Sequence, residues 1–279
     1  MADHPIEIVL LGTGSPIPDP RRAGPSTVVL AGGHQLLFDC GRGVLLRAAA
    51  AGVGANQLSA TFLTHLHSDH LTDLNDVITT RWITTFAPSP LELIGPPGTR
   101  EVVDGILASL RPDVSYRRAH HDDITWEPPV EVTELTEGVA FEAGGVRVIA
   151  APTDHRPVAP TVGYRVEHGG SAVVIAGDTV PCAGLDGLCE GADVLVCTVI
   201  RDDLVRAVGL PRLLDICDYH STVEQAADTA KRAGMSKLVL THCVPPLVPG
   251  AEEEWRSIAA AIFDGEVVVA ADLDRVAVG

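Results

Sequence analysis

The first half of the chain alternates short apolar runs with longer amphipathic segments. The apolar runs are rich in branched side chains and end near glycine or proline, which is typical of buried strands. These predicted strands cover residues 6–11, 27–31, 35–38, 60–63 and 91–94. Apolar positions three and four residues apart predict helices over residues 44–51, 71–86 and 99–110. This alternation predicts layered α/β packing.

From residue 130 the pattern changes to successive strands separated by glycine-containing turns. These strands are predicted over residues 130–135, 139–141, 146–150, 161–166 and 172–175. Further along, helices and strands alternate again, with helices over 223–233 and 252–263 and strands over 194–198, 238–240 and 267–270. Because no linker, low-complexity tract or repeat interrupts the chain, we predict one domain over residues 1–279.

Composition and charge exclude several classes of protein. The chain has 279 residues, of which 46% are hydrophobic and 20% charged, so it can bury a full core and is not intrinsically disordered. Thirty-seven acidic residues against 20 basic ones give a net charge of -17. Since non-specific binding to phosphate backbones requires clustered Lys and Arg, a polyanionic substrate would need local positive charge.

The sequence also indicates where the protein works. No apolar run reaches the roughly 18 residues that span a bilayer, and residues 1–5 lack the layout of a signal peptide. The six cysteines show no CxxC spacing, which favours free thiols over a disulfide framework. We therefore expect a cytoplasmic protein that does not associate with membranes.

The segment His-Leu-His-Ser-Asp-His at residues 65–70 is the strongest chemical signal in the chain. His65 and His67 are two residues apart at the end of an extended segment, so their side chains point to the same side and can bind one metal ion. Asp69 and His70 fall at the turn into the next helix and can face a second ion. The alternative is a satisfied polar cluster at a helix start, which is disfavoured because four packed titratable groups without a cation are costly.

Three more candidate ligands each follow a predicted strand. His155 follows strand 146–150, Asp178 follows strand 172–175, and His242 follows strand 238–240. A single histidine at a strand end is more often a capping or surface group than a ligand. Together with residues 65–70, however, these three side chains complete two sets of metal ligands.

The order of these residues, with Asp39 before them, resembles the metallo-β-lactamase superfamily. Within it, the whole chain is similar to the ribonuclease Z family and to its arylsulfatase-like neighbours. The matching motifs are LGTGSP at 11–16, FDCG at 38–41, GYR at 163–165, GDT at 177–179, HST at 220–222 and LTH at 240–242. The HST and LTH pair narrows the resemblance to the ribonuclease Z family and its neighbours, because ordinary β-lactamases and glyoxalase II lack this pair.

The resemblance implies an α/β fold in which two facing mixed β-sheets are flanked by helices (an αββα sandwich). It also implies two Zn²⁺ per chain, with Mn²⁺ or Fe²⁺ as possible substitutes. The ligands would be His65, His67 and His155 for one ion, Asp69, His70 and His242 for the other, and Asp178 as a bridge between both. Asp39 would orient a ligand histidine. Family relatives are commonly dimers, so a homodimer is implied as well.

The implied activity is cleavage of precursor tRNA at its 3' trailer by a hydroxide held between the ions. Asp69 would accept the proton of the attacking water. His220 would stabilise the phosphoryl oxygens or protonate the leaving oxygen. The alternative for His220 is a position beside the N-cap of the following helix, with Ser221 or Thr222 as the cap.

Two departures from the ribonuclease Z pattern leave other functions open. Only residues 166–176 separate the GYR and GDT motifs, which is room for a hairpin and not for a tRNA-gripping arm. Gly41-Arg42-Gly43 is similar to the arylsulfatase-like branch. A hydrolase of aryl sulfates or small phosphodiesters is therefore the second hypothesis, and a metal-binding domain without activity is the third.

Residues outside the metal motifs receive simpler interpretations. We favour core packing for Trp82 and Phe86, with a pocket or partner surface as the alternative. His34, His120 and His121 are interpreted as exposed.

Overall fold

Two seven-stranded β-sheets face each other in the computed structural model of this chain, which describes residues 5–279. The first sheet contains β1 (Ile6–Gly12), β2 (Ser26–Ala31), β3 (His34–Phe38), β4 (Ala60–Phe62), β5 (Leu91–Gly95), β6 (Val130–Glu134) and β14 (Arg275–Val278). The second contains β7 (Gly138–Ala143), β8 (Val146–Pro152), β9 (Val162–His168), β10 (Ser171–Ile175), β11 (Val194–Ile200), β12 (Lys237–Val244) and β13 (Glu266–Val269).

Both sheets are mixed and share one pattern of pairing. The first has the order β14-β1-β2-β3-β4-β5-β6, and the second has the order β13-β12-β11-β10-β9-β8-β7. In each, three antiparallel pairings join one half of the sheet and three parallel pairings join the other. The last strand, β14, pairs with β1, so the C-terminal segment completes the sheet that the N-terminal segment begins.

Helices cover the outer faces of the sheets. Against the first sheet lie α1 (Val44–Ala51), α3 (Leu74–Thr84) and α4 (Thr99–His120), and the four-residue α2 (Ser68–Leu71) precedes α3. Against the second lie α5 (Ala183–Cys189), α8 (Val223–Arg232) and α9 (Glu252–Ala260). Two short helices, α6 (Asp202–Val208) and α7 (Pro211–Asp215), occupy the connection between β11 and α8. This architecture confirms the predicted fold class.

Strands such as β1 are buried on both faces, which explains why they form continuous apolar runs in the sequence. Along β1, Ile8 faces the space between the sheets, whereas Val9 faces the helices, and both are fully buried. A strand covered on both faces shows a continuous apolar run instead of alternation. Between the sheets, the rings of Phe38 and Phe62 stack at 4.7 Å, and Tyr164 meets Phe62 edge-on at 5.2 Å.

Every strand predicted from the sequence is present, but the helices differ from the prediction in three ways. The segment predicted as one helix over 71–86 is divided between α2 and α3, with Asp73 as the N-cap of α3. The helix predicted over 99–110 continues to His120. The sequence analysis did not predict α5, α6, α7 or β14.

A side-chain hydrogen bond replaces the backbone hydrogen bond that Pro112 cannot make inside α4. A proline inside a helix cannot donate to the carbonyl four residues earlier, here that of Ala108. The guanidinium of Arg111 donates to that carbonyl at 3.2 Å instead. The Ala108 carbonyl therefore keeps a hydrogen-bond partner where the helix passes through the proline. Within residues 5–279, no helix is both long and apolar enough to span a bilayer.

The topology gathers the chemical residues at one end of the sandwich. β3 and β4 are parallel neighbours, and their C-terminal ends lead to Asp39 and His65. β8, β10 and β12 all run in one direction within the second sheet. β8 and β10 lead to His155 and Asp178, and His242 lies near the C-terminal end of β12 itself. Each of these side chains is placed by a strand whose position is set by its neighbours.

Candidate metal centre

The carboxylate of Asp178 lies at the centre of a cluster of histidines. It is 3% exposed, and its Oδ2 atom is within 3.9 Å of five imidazole Nε2 atoms. The distances are 3.4 Å to His220, 3.5 Å to His70, 3.7 Å to His242, and 3.9 Å to both His65 and His155. One oxygen therefore faces ring nitrogens from both predicted ligand sets.

The first ligand group is formed by His65, His67, His155 and Asp178. Their ligand atoms all lie within 4.8 Å of one another. Nδ1 of His67 is 3.0 Å from Nε2 of His65 and 3.3 Å from Nε2 of His155. Three ring nitrogens and a carboxylate oxygen at these separations form a donor set suited to a transition metal such as zinc.

The second group is formed by Asp69, His70 and His242, again with ligand atoms within 4.8 Å of one another. Oδ2 of Asp69 is 3.2 Å from Nε2 of His242. Nε2 of His70 is buried and has no hydrogen-bond partner among the described residues. A buried nitrogen without a partner is costly, and a metal ion is the partner that this donor set fits.

Burial and neighbouring charges together set the protonation states of these groups. It lowers the pKa of His65 well below its ordinary value and the pKa of His155 to about 4, so both rings are neutral near pH 7. Burial alone would raise the pKa of Asp178, but the imidazoles of His242 and His70 outweigh it and lower that pKa well below its ordinary value. Neutral imidazoles and an ionised carboxylate are the ligating forms. Burial lowers the pKa of His70, but the carboxylates of Asp178 and Asp39 outweigh it and raise that pKa well above its ordinary value, so this ring must release a proton before it binds a metal ion.

Hydrogen bonds on the far side of the rings orient two of the histidines. Nδ1 of His155 donates to the backbone carbonyl of Tyr219 at 2.7 Å. Nδ1 of His70 donates to Oδ2 of Asp39 at 2.8 Å. In both rings the Nδ1 proton is therefore occupied, and the Nε2 lone pair is directed into the cluster.

Two of the residues at the centre have unusual backbone conformations. The φ angle is 59° at Asp39 and 47° at His242, values that non-glycine residues rarely adopt. Such strain persists where the surrounding structure enforces it, and it concentrates at functional sites. Both side chains contact other residues of the cluster, Asp39 through His70 and His242 through Asp69.

His220 also lies beside the cluster, with Nε2 3.4 Å from Oδ2 of Asp178. Its Nδ1 donates to the carbonyl of Ile216 at 2.9 Å, which leaves Nε2 as the ring atom facing Asp178. Thr222 is the N-cap of α8, and its hydroxyl accepts from the backbone N–H of Gln225. Thr222 therefore caps α8, as the alternative for His220 expected, and the His220 ring also lies 3.4 Å from Asp178.

The remaining interpretations of single residues had mixed outcomes. Trp82 is buried, as predicted, but the core-packing interpretation of Phe86 is wrong, since that ring lies beyond the end of α3 and is 93% exposed. His120 and His121 are exposed as expected. His34 is instead half-buried, with Nδ1 3.0 Å from the Ser59 hydroxyl.

Two structural expectations are confirmed. β9 and β10 are joined by a short turn, so the segment between the GYR and GDT motifs is a hairpin and not an arm. All six cysteines are free thiols, and four of them are buried.

The sequence analysis missed three contributors to the centre. Thr64 and Thr198 contact Asp39 and Asp178 through their hydroxyls, and Tyr219 contributes only a backbone carbonyl. Thr64 directly precedes the histidine motif, which is the one signal that could have identified it. The other two have no sequence signal, because nothing in the chain indicates which strand end faces which ligand.

Comparisons with known proteins agree with this centre. Residues 34–243 match the beta-lactamase superfamily domain. Ribonuclease Z of Mycolicibacterium gilvum (strain PYR-GCK) is 62% identical over 275 residues, which cover 98% of this chain and 96% of the relative. Ribonuclease Z of Mycolicibacterium paratuberculosis (strain ATCC BAA-968 / K-10) is also 62% identical over 275 residues, or 98% of each chain.

Solved structures show the same architecture. The metallo-beta-lactamase fold protein YhfI from Bacillus subtilis superposes with a TM-score of 0.76 at 21% identity, over 99% of this chain and all of that chain. The short form of human tRNase Z (ELAC1) superposes with a TM-score of 0.72 at 25% identity, over 98% of this chain and 99% of that one. With its fold, its clustered metal donors and its full-length similarity to these relatives, the chain belongs to the ribonuclease Z family of the beta-lactamase superfamily and is a metal-dependent hydrolase.

Proposed function

We propose that this enzyme is a tRNA 3'-processing endoribonuclease, which removes the 3' trailer from precursor tRNA by hydrolysing one phosphodiester bond. The observation that carries the proposal is the convergence of metal donors on Asp178 in a chain that is 62% identical, over 98% of its length, to a Ribonuclease Z. A metal centre alone supports many hydrolases, and the close full-length relationship selects this substrate among them.

In this proposal the centre holds two zinc ions. His65, His67 and His155 would hold one, Asp69, His70 and His242 would hold the other, and Asp178, which lies near donors of both groups, would serve both. Manganese or iron can replace zinc, since His and Asp donors accept each of these metals. When bound, such ions lower the pKa of a coordinated water and neutralise charge that develops on a phosphoryl group.

The protein's own groups supply the proton transfers. Asp69 accepts the proton of the attacking water, and its carboxylate lies within the second ligand group, 3.2 Å from His242. His220 contacts the phosphoryl oxygens or protonates the leaving oxygen through Nε2, the ring atom that faces the centre. Each such transfer contributes typically about 10²- to 10⁴-fold in rate.

The lack of a tRNA-gripping arm between the GYR and GDT motifs does not distinguish this chain from a similar ribonuclease Z. The alignment with the ribonuclease Z of M. paratuberculosis covers 98% of both chains, which leaves no room for a long insertion in that relative. The net charge of -17 means that tRNA binding relies on positive charge close to the site, which two divalent cations would provide.

The proposal also includes the setting of the enzyme. We propose one domain over residues 1–279 that forms a cytoplasmic homodimer. The pairing of β14 with β1 supports a single domain, because it joins the two ends of the chain in one sheet. The six free cysteines support a reducing compartment. Multi-angle light scattering of the purified protein tests the dimer.

The decisive experiment is cleavage of a precursor tRNA with a short 3' trailer by zinc-loaded protein, resolved on a sequencing gel. Low salt is used because electrostatic binding by this acidic chain is weak. We expect a single cut after the discriminator base that leaves a 3'-hydroxyl. The Asp178→Ala variant, which removes the shared ligand, should show no cut.

Assays with small substrates distinguish tRNA processing from the alternative, a hydrolase of aryl sulfates or small phosphodiesters. If the wild-type protein leaves the precursor intact but hydrolyses a small phosphodiester or an aryl sulfate, the metal centre stands and the proposed substrate is wrong. If zinc-loaded protein hydrolyses none of these, the hydrolytic role assigned to the residues is wrong as well.

A further inference from the structure

Asp39 is held by Thr64 as well as by His70. The backbone N–H of Thr64 donates to Oδ1 of Asp39 at 2.8 Å, and the Thr64 hydroxyl contacts Oδ2 at 2.9 Å. Nδ1 of His70 reaches the same Oδ2 at 2.8 Å. All three residues are at most 5% exposed, so these contacts are shielded from water.

The Thr64 hydroxyl also contacts a ligand of the other group. Its oxygen lies 3.0 Å from Nδ1 of His65. A hydroxyl carries one proton and can accept through its lone pairs. Because the carboxylate of Asp39 accepts, the hydroxyl donates its proton to Asp39 and accepts from Nδ1 of His65.

This arrangement determines the tautomer of His65. With the proton on Nδ1, the lone pair of the ring lies on Nε2, and Nε2 is the atom 3.0 Å from His67 and 3.9 Å from Asp178. His70 has the same tautomer, because its Nδ1 donates directly to Asp39. The hydrogen bonds of one carboxylate therefore extend to one histidine in each ligand group.

We infer that Thr64 is a positioning residue that extends the influence of Asp39 from His70 to His65, so that a single carboxylate orients both metal-ligand groups. The inference rests on the two-metal centre of the proposed function. It adds a role for Thr64, which acts through its contacts with Asp39 and His65.

The backbone around Thr64 holds the hydroxyl in this position. The Thr64 carbonyl accepts from the N–H of Val162 at 2.9 Å, which ties the end of β4 to the start of β9. On its other side, Gly177 packs so closely that a Cβ there would lie 2.7 Å from the Cβ of Thr64. The hydroxyl is therefore placed by both sheets, although it belongs to one.

The chain offers a matched control three residues earlier. Thr61 is fully buried in β4, and its hydroxyl has no hydrogen-bond partner among the described residues. Thr→Val replaces the hydroxyl with a methyl group of nearly the same size. Thr61→Val and Thr64→Val thus make the same change in the same segment, but only Thr64→Val removes hydrogen bonds.

The test is a titration of metal-free protein with Zn²⁺ in competition with a chromophoric chelator, followed by metal analysis after dialysis. We expect the wild type and Thr61→Val to bind two ions with equal affinity. Thr64→Val should bind one of the two about 10- to 100-fold more weakly, which is the usual effect of losing a hydrogen-bonding partner behind a ligand. Thr64→Ser should restore tight binding, and Asp39→Asn should weaken both ions.

Two results would overturn the inference while the centre itself remains. One is tight binding of two ions by Thr64→Val, and the other is equal weakening of both ions, since the hydroxyl contacts only His65 among the ligands. Failure of Thr64→Ser to restore binding would likewise contradict the role of the hydroxyl. If the wild type binds fewer than two ions, the two-metal centre of the proposed function fails first. Circular dichroism of each variant establishes that it is folded.

Discussion

The hydroxyl of Thr198 donates a 2.8 Å hydrogen bond to Oδ1 of Asp178. Thr198 is buried near the end of β11, the parallel neighbour of β10, and β10 leads directly to Asp178. Because Oδ1 is occupied in this way, Oδ2 is the oxygen left to face the imidazoles of both ligand groups. The contact between neighbouring strands therefore selects which carboxylate oxygen serves the metal centre.

Removing this hydroxyl should loosen the shared carboxylate. We expect Thr198→Val to lower metal affinity by about 10- to 100-fold, because Asp178 can then rotate away from the orientation that serves both groups. Thr198→Ser, which keeps the hydroxyl, should remain close to wild type. Competitive Zn²⁺ titration of both variants provides the measurement. Wild-type affinity in Thr198→Val would show that packing alone orients Asp178.

Asp178 and His220 should differ in what their removal abolishes. Asp178→Ala is expected to lose most of its metal and its activity together, because it deletes the oxygen that faces both groups. His220→Ala should keep its metal and lose about 10²- to 10⁴-fold in turnover, as for a missing proton donor. Metal content and precursor cleavage are measured on the same samples. Equal loss of metal in both variants would refute the role assigned to His220.

Gly177 should resist substitution for two separate reasons. Its φ angle of 65° is unfavourable for any residue with a Cβ, and that Cβ would lie 2.7 Å from the Cβ of Thr64. We expect Gly177→Ala to destabilise the protein by about 1–3 kcal/mol. It should also reduce metal occupancy, since the new methyl group would displace Thr64, whose hydroxyl contacts Asp39 and His65. Urea denaturation and metal analysis test the two effects.

Gly105 provides the contrasting substitution. It lies exposed inside α4, and a Cβ there would meet no atom within 4 Å. Gly105→Ala should stabilise the protein by about 0.5–1 kcal/mol, because alanine loses less backbone freedom on helix formation. Metal content should not change. A loss of stability in this variant would mean that α4 is distorted at this position.

The six thiols should divide into two reactivity classes. Cys182 and Cys217 are half-buried, whereas Cys40, Cys189, Cys197 and Cys243 are buried. Burial raises the pKa of Cys189 and of Cys243 to about 12, so these thiols hold their protons at neutral pH, and the thiolate is the reactive form. Ellman's reagent at pH 8 should modify at most two thiols in the native protein and six in urea. A third fast-reacting thiol would contradict the packing around the buried four.

The strands were predictable because their environment is uniform. In the inner strands both faces are covered, so a strand such as β11 consists almost entirely of apolar residues and stands out against polar turns. Helix boundaries depend on single interactions that a pattern does not record. α4 continues past Pro112, where Arg111 donates to the Ala108 carbonyl, and Asp73 is the N-cap that begins α3 after α2. Ring exposure also depends on placement, as Phe86 shows.

The sequence by itself determined the donors of the candidate metal centre, because imidazoles and carboxylates at the ends of strands are visible in the chain and their chemistry restricts what they can bind. Only the tertiary structure decided how those donors are held. Thr64 joins Asp39 to His65, Thr198 occupies one oxygen of Asp178, and the Tyr219 carbonyl orients His155. These contacts connect residues from separate strands and loops, and a hydrogen bond forms only where the packing of two sheets brings donor and acceptor within about 3 Å.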